Sequence, residues 1–176
     1  MSDHRVNLLR AMIRDIPDFP KPGIVFKDIT PMLADAQCMS VAIDLLAEHW
    51  IGKGVTHVIG IESRGFIFGA AVANRLAAGF VPVRKPGKLP HKTDRVAYDL
   101  EYGTDAVEMH VDAVDHGARV IVVDDLMATG GTAAATVELA RRRSATVLGE
   151  SFLIELSFLN GREKLPGLFL QSIVKY

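Results

Sequence analysis

Apolar residues along this chain recur with two different periods, and each change of period marks an element. Val41, Leu45, Leu46 and Trp50 stand at helical spacing and predict a helix over 39–50. THVIGI (56–61) and ARVIVVDD (118–125) are short, nearly unbroken apolar runs, as expected of strands buried on both faces. A helix is predicted after each of them, over 66–76 and over 130–143. FVPVR (80–84) and ATVLGESFLIEL (145–156) predict two further strands. Strands alternating with helices imply an α/β fold with a mostly parallel central sheet flanked by helices. VAYDLEYG and AVEMHVDAV alternate in polarity and predict an antiparallel hairpin, preceded by a polar Pro- and Lys-rich loop, KPGKLPHKTDR. Near the N-terminus a short amphipathic helix is predicted over 6–16. It ends at IPDFPKPG, where Pro17, Pro20 and Pro22 oppose regular structure. GIVFKDITPML then reads as a short extended run closed by Pro31.

Composition changes this picture little. A chain of 176 residues suits one domain with a sizeable core. The formal net charge is −1, which does not suggest nucleic-acid binding through a broad basic field. Cys38 is the only cysteine, so no intrachain disulfide can form, which suits a reducing, cytoplasmic compartment; no motif around it suggests catalysis. No apolar run is long enough to span a membrane, and none of the six histidines has metal-site spacing. Internal repeats and low-complexity tracts are absent.

Open parallel sheets bind ligands beyond the C-terminal ends of their strands. Two loops therefore stand out, after Ile61 and after Val123. In VIVVDDLMATGGT, Asp124 and Asp125 leave an apolar strand at that edge. Ionised carboxylates only accept hydrogen bonds, so they suit vicinal sugar hydroxyls, or a metal that itself holds hydroxyls. The next residues, Leu126 and Met127 and then Ala128-Thr129-Gly130-Gly131-Thr132, offer backbone N–H groups, two hydroxyls and a helix N-terminus. That combination suits an anion such as phosphate. Together the two halves fit a ribose diol beside a 5′-phosphate. The structural alternative is an Asp-Asp cap followed by a Gly-Gly turn. The loop matches neither the dinucleotide fingerprint nor the Walker motif. In IESRGFIFG, Arg64 between a strand and a helix could clamp a diphosphate or form a surface ion pair. Arg84, Lys85 and Lys88 form a basic group that could serve a ligand or only solvent. Phe26 could stack on a planar base or fill the core.

These segments, in this order, resemble the type I phosphoribosyltransferases, and FPKPGIVFKDITPML with YDLEYG resembles the adenine-specific members. The resemblance extends over most of the chain. It implies the type I phosphoribosyltransferase fold as a single domain, 1–176. A small N-terminal hood is expected over about 1–35, a core over about 36–176 and an antiparallel flap over about 85–105. It also implies purine salvage: adenine and 5-phosphoribosyl 1-diphosphate giving AMP and diphosphate, with Mg²⁺ held mainly by substrate and water rather than by protein ligands. Asp124 to Thr132 would take the ribose 5-phosphate. Glu62, Ser63, Arg64 and Gly65, with a non-proline cis peptide, would take diphosphate together with Arg84, Lys85 and Lys88. Val25, Phe26 and Lys27 would line the base, with backbone groups at Val25 and Lys27 reading its amino edge. Many relatives carry Arg where this chain has Lys27. Glu101 would be the catalytic acid/base and Tyr102 a flap residue near it. A homodimer is implied, with Arg84 reaching the neighbouring site, and neither nucleic acid nor membrane as partner. The alternatives are transfer to another purine base, or a non-catalytic sensor of ribosyl diphosphate.

Overall fold

The computed structural model describes residues 4–99 and 103–176. The chain opens with α1 (His4–Ala11), a hairpin of β1 (Arg14–Pro17) and β2 (Val25–Asp28), then α2 (Thr30–Ala34) and α3 (Ala36–Glu48). β3 (His57–Ile61), α4 (Gly65–Arg75) and β4 (Gly79–Val83) follow, then the hairpin β5 (Thr93–Asp99) and β6 (Thr104–His110). β7 (Arg119–Met127), α5 (Gly131–Arg142), β8 (Thr146–Glu155), two 3₁₀ turns over Ser157–Leu159 and Gly161–Lys164, and β9 (Phe169–Lys175) complete the order.

The central sheet has five parallel strands in the order β4-β3-β7-β8-β9. β7 shows why its sequence is an unbroken apolar run. Val120 and Val122 enter a core shared with α5 and the β5–β6 hairpin. Ile121 and Val123 enter the opposite core, with α1, α3 and α4. All four are fully buried, as expected of a strand covered on both faces. From β3 the chain first steps outward to β4 and later returns to place β7 on β3's other side. The order reverses there, so a crevice opens between the C-terminal ends of β3 and β7.

Several expected boundaries change. α1 stops at Ala11, and residues 14–17 pair with β2 instead of extending the helix. Cross-strand ion pairs hold that small sheet: Arg14 with Asp28 at 2.7 Å and Lys27 with Asp15 at 2.7 Å, each pair directly opposite in register. Pro31 opens α2 rather than closing a strand, because a first-turn helical position needs no N–H. Asp35 caps α3, accepting from the Cys38 N–H at 2.8 Å. β5 begins at Thr93, inside the segment expected to be loop, and β9 was not expected. β7 runs on to Met127, two residues past the expected end, with Asp124 and Asp125 inside the strand. Cys38 is buried, and burial followed by Asp35 pushes its thiol up. Among the described residues, no helix is long and apolar enough to cross a membrane.

Candidate active site at the sheet's switch point

Two helices start at the crevice, α4 after β3 and α5 after β7. Each first turn leaves backbone N–H groups without an intrahelical acceptor, and each carries partial positive charge. The site is built where these two positive ends meet the Asp124–Asp125 pair.

Residues Asp124 and Leu126 to Ala133, together with Phe152, line a cavity of about 200 Å³. The loop from Ala128 to Thr132 is therefore concave, as a bound anion requires. Its shape depends on close backbone packing. Gly130 has φ +76°, and a Cβ there would lie 2.3 Å from the Gly161 carbonyl oxygen. A Cβ on Gly161 would in turn lie 2.4 Å from the Ala128 oxygen. The turn Gly161–Lys164 thus backs the loop directly. Arg162 ties that turn down with a bidentate pair to Glu155, at 2.8 and 2.7 Å. That hydrogen bonding holds the Glu155 carboxyl below its ordinary value despite partial burial. Gly161 is a supporting residue that the sequence reading missed. Its only signal was a lone glycine in NGREK.

Asp125 is 6% exposed, and its Oδ2 lies 2.7 Å from Arg64 Nη2. Asp124 accepts the Asp125 N–H at 2.8 Å. Its Oδ1 would be 2.5 Å from a Cβ on Gly65, so only glycine lets α4 begin this close to β7. Burial, then the neighbouring Asp125, pushes Asp124 well above the ordinary carboxylate range. Burial also raises Asp125, against the pull of the Arg64 guanidinium. Two carboxylates this close resist sharing two charges, and a ligand that donates hydrogen bonds would relieve both.

The Glu62-Ser63 peptide is cis, in the loop where a non-proline cis bond was expected. The Arg64 guanidinium also stands 5.0 Å from the Phe26 ring centroid. Phe26 packs edge-on against Phe19 and belongs to neither core cluster, so the structure places it at the site rather than in the core. Lys27 points elsewhere. Its ammonium pairs with Asp15 and lies 3.8 Å from the Tyr176 ring centroid. Its side chain is thereby occupied, and any contact with a base falls to its backbone. Val25 is 49% exposed beside Phe26 on β2.

The basic group is placed by Glu62. Its carboxylate accepts from Arg84 Nε at 3.2 Å, Arg84 Nη2 at 3.1 Å and the Lys85 N–H at 2.8 Å. Burial opposes its charge, but Arg84 and the Lys85 N–H outweigh burial and hold Glu62 below its ordinary value. Glu62 thus holds the Arg84 guanidinium and the Lys85 backbone in place. Arg84 also donates to the Lys88 carbonyl at 3.0 Å, so within one chain it is engaged on its own loop. Lys85 reaches the hairpin, donating to Tyr98 Oη at 2.9 Å and to Asp105. Lys88 is exposed. Glu101 and Tyr102 lie outside the described residues.

A family model described as phosphoribosyl transferase domain matches residues 29–155. The adenine phosphoribosyltransferase of Acidobacterium capsulatum is 56% identical over 175 residues, covering 98% of this chain and 97% of its own. That of Sorangium cellulosum is 59% identical over 161 residues, covering 92% and 80%. Among solved structures, the Rhodothermus marinus adenine phosphoribosyltransferase superposes with a TM-score of 0.94 at 50% identity, covering 98% of each chain. The Saccharomyces cerevisiae enzyme, solved with an imino-altritol bisphosphate and adenine, gives 0.91 at 39% identity over 96% of this chain and 98% of its own. A concave loop at a helix N-terminus beside a buried acid pair, on this sheet order and with these relatives, places the chain in the phosphoribosyltransferase family, among its adenine phosphoribosyltransferases.

Proposed function

We infer that this chain transfers the 5-phosphoribosyl group from 5-phosphoribosyl 1-diphosphate to N9 of adenine, giving AMP and diphosphate. The observation that carries the reading is the Arg64–Asp125 contact. It joins the two loops, 62–65 and 124–132, that the reaction's two anionic groups would occupy. The yeast relative's bisphosphate and adenine indicate the ligand chemistry that such a site accepts.

In this reading Ala128 to Thr132 anchor the 5′-phosphate on the α5 N-terminus. Asp124 and Asp125 hold the ribose hydroxyls. Ser63 to Gly65, Arg84, Lys85 and Lys88 receive diphosphate, and Glu62 positions Arg84 and the Lys85 backbone. The bond from C1 to the diphosphate oxygen breaks with its electron pair leaving on diphosphate. Adenine N9 attacks from the opposite face, and Glu101 accepts the ring proton. Rate acceleration then comes mainly from positioning and from charge placed in advance. Phe26 and Val25 line the base, with backbone groups at Val25 and Lys27 reading its amino edge. An oxo purine would leave such groups unpaired, which is costly when buried.

Mg²⁺ belongs to this proposal. Among the described residues no three His, Cys, Asp or Glu side chains gather into a metal cage. Hard oxygen donors suit this ion, so Asp124 and Asp125 would be the protein oxygens beside it, and diphosphate, ribose hydroxyls and water would supply the rest of its shell. When bound, such an ion neutralises the leaving group. The division into a hood (1–35), a core (36–176) and a flap (85–105), a homodimer sharing Arg84, and a cytoplasmic location are parts of the same proposal.

The test is a base-by-base assay with purified protein, Mg²⁺ and ribosyl diphosphate, offering adenine, hypoxanthine, guanine or xanthine. AMP from adenine alone is the expected result. Product from an oxo purine would overturn the hood assignment, and ribosyl diphosphate bound without any product would make the chain a sensor.

A further inference from the structure

Three of the four basic side chains assigned to diphosphate rest on the protein's own carboxylates. Arg64 rests on Asp125 and Arg84 on Glu62, both within the site loops. Lys85 is different, because its partners come from the hairpin. Its ammonium donates to Tyr98 Oη on β5 at 2.9 Å and to Asp105 Oδ2 on β6. Tyr98 Oη donates to that same Asp105 oxygen at 3.3 Å. The three groups close a triangle, and Asp105 accepts a further hydrogen bond from the Ala106 N–H at 2.7 Å.

We propose that Asp105 is an affinity-determining residue for diphosphate: it is an internal counter-anion that a diphosphate oxygen must displace from Lys85, and it takes Lys85 back as diphosphate leaves. This rests on reading Lys85 as a diphosphate contact. An ammonium has three donors, and here two are committed to the hairpin. Lys85 cannot give its full charge to a ligand while Asp105 holds it. The side chains of Lys85 and Asp105 are 39% and 31% exposed, and ion pairs so open to water are weak. The exchange is therefore easy in both directions, which suits an anion that must be released on every turnover. Burial works against the Lys85 charge, but Asp105 and Tyr98 more than offset it and lift the ammonium above its ordinary value. The hydrogen bond from Lys85 in turn holds Asp105 below its own. Both groups are thus charged at neutral pH, and the competition is between two anions for one cation. The Tyr98 hydroxyl joins both groups by hydrogen bonds.

The test is a double-mutant cycle on the full chain, titrated calorimetrically with magnesium diphosphate. Asp105→Asn keeps the shape and an acceptor but removes the charge. It should tighten diphosphate binding about two- to fivefold, the range expected for a pair this exposed. Lys85→Met should weaken it, and Asp105→Asn should have no effect in the Lys85→Met background. Unchanged or weaker binding in Asp105→Asn, with Lys85→Met still weakening it, would overturn the proposal and leave Lys85 as a contact. No change in Lys85→Met would instead remove Lys85 from the diphosphate site, and the proposal with it. AMP carries no diphosphate and serves as the control. An equal shift in AMP affinity would mean that Asp105 only shapes the hairpin, which also overturns the proposal.

Discussion

At the residue scale the site is assembled from groups that cost stability. Asp124 and Asp125 are adjacent, and burial raises both. A carboxyl raised above its unfolded value loses stabilising influence as pH climbs, because the folded state holds a proton that the unfolded chain gives up. Asp124→Asn removes that conflict. It should raise the melting temperature at neutral pH by about 2–4 °C, corresponding to about 1 kcal/mol in a chain of this size, while kcat/KM falls at least about a hundredfold. Calorimetry beside steady-state kinetics checks both; an unchanged rate would end the assignment to the ribose diol. Phe26 makes the complementary case. It lies outside both core clusters, so little packing is lost on truncation. Phe26→Ala should raise KM for adenine about tenfold, with KM for ribosyl diphosphate nearly unchanged and the fold intact. Equal changes in both constants would return Phe26 to a structural role.

At the element scale, strands with one obvious environment were legible and strands with mixed surroundings were not. β7 and β3 announced themselves because both faces are buried. β9 did not, because it is a half-buried edge strand whose polar residues are satisfied by distant partners. Gln171, for instance, donates to the Leu45 carbonyl at 2.7 Å. Residues 14–17 followed the apolar spacing of the preceding helix, and only pairing with β2 sets them apart. The backing of the phosphate loop was hidden for a similar reason, since Gly161 meets Ala128 and Gly130 only in three dimensions. Gly161→Ala should push the loop apart at a cost of about 1–3 kcal/mol. KM for ribosyl diphosphate should rise at least about tenfold, and an unchanged KM would show that the loop does not depend on this turn. β8 carries a different anomaly. Glu150 is fully buried between Val122 and Leu170, and among the described residues neither carboxylate oxygen has a hydrogen-bond partner. Burial pushes it up from 4.5 to about 8, against the opposing charge of Arg141. Its contribution to stability is fullest below about pH 4.5, declines as pH rises, and is exhausted above about pH 8. Glu150→Gln should therefore flatten the pH dependence, matching the parent near pH 5 and exceeding it near pH 8 by on the order of a few kcal/mol. Denaturant titrations at the two pH values decide it; parallel curves would mean that Glu150 is charged or paired in solution.

At the scale of the whole molecule, the proposed reaction depends on two loops that the chain order keeps far apart, 62–65 and 124–132. They meet because the strand order reverses between β3 and β7. The sequence showed both loops and their chemistry. It did not show that three of the four cations would already be matched to a carboxylate, because Glu62 with Arg84, Asp125 with Arg64 and Asp105 with Lys85 are pairings made only by the fold. Without ligand, the Arg64–Asp125 pair joins the two halves of the crevice. Ribosyl diphosphate carries an anion for each half and should replace it as the bridge. AMP carries only the 5′-phosphate, and diphosphate only the other group. At 100 times its dissociation constant, a ligand bound by the folded state alone adds about 2.7 kcal/mol, or roughly 5–10 °C here. That total is the same for any ligand at equal saturation, so the discriminating measurement is where protection falls. Amide hydrogen exchange should slow in 128–132 with AMP and in 62–65 and 85–88 with magnesium diphosphate. Ribosyl diphosphate with Mg²⁺ should protect all three segments at once. Protection confined to one loop with ribosyl diphosphate would mean that the crevice does not act as a single site, and the mechanism drawn across it would fail.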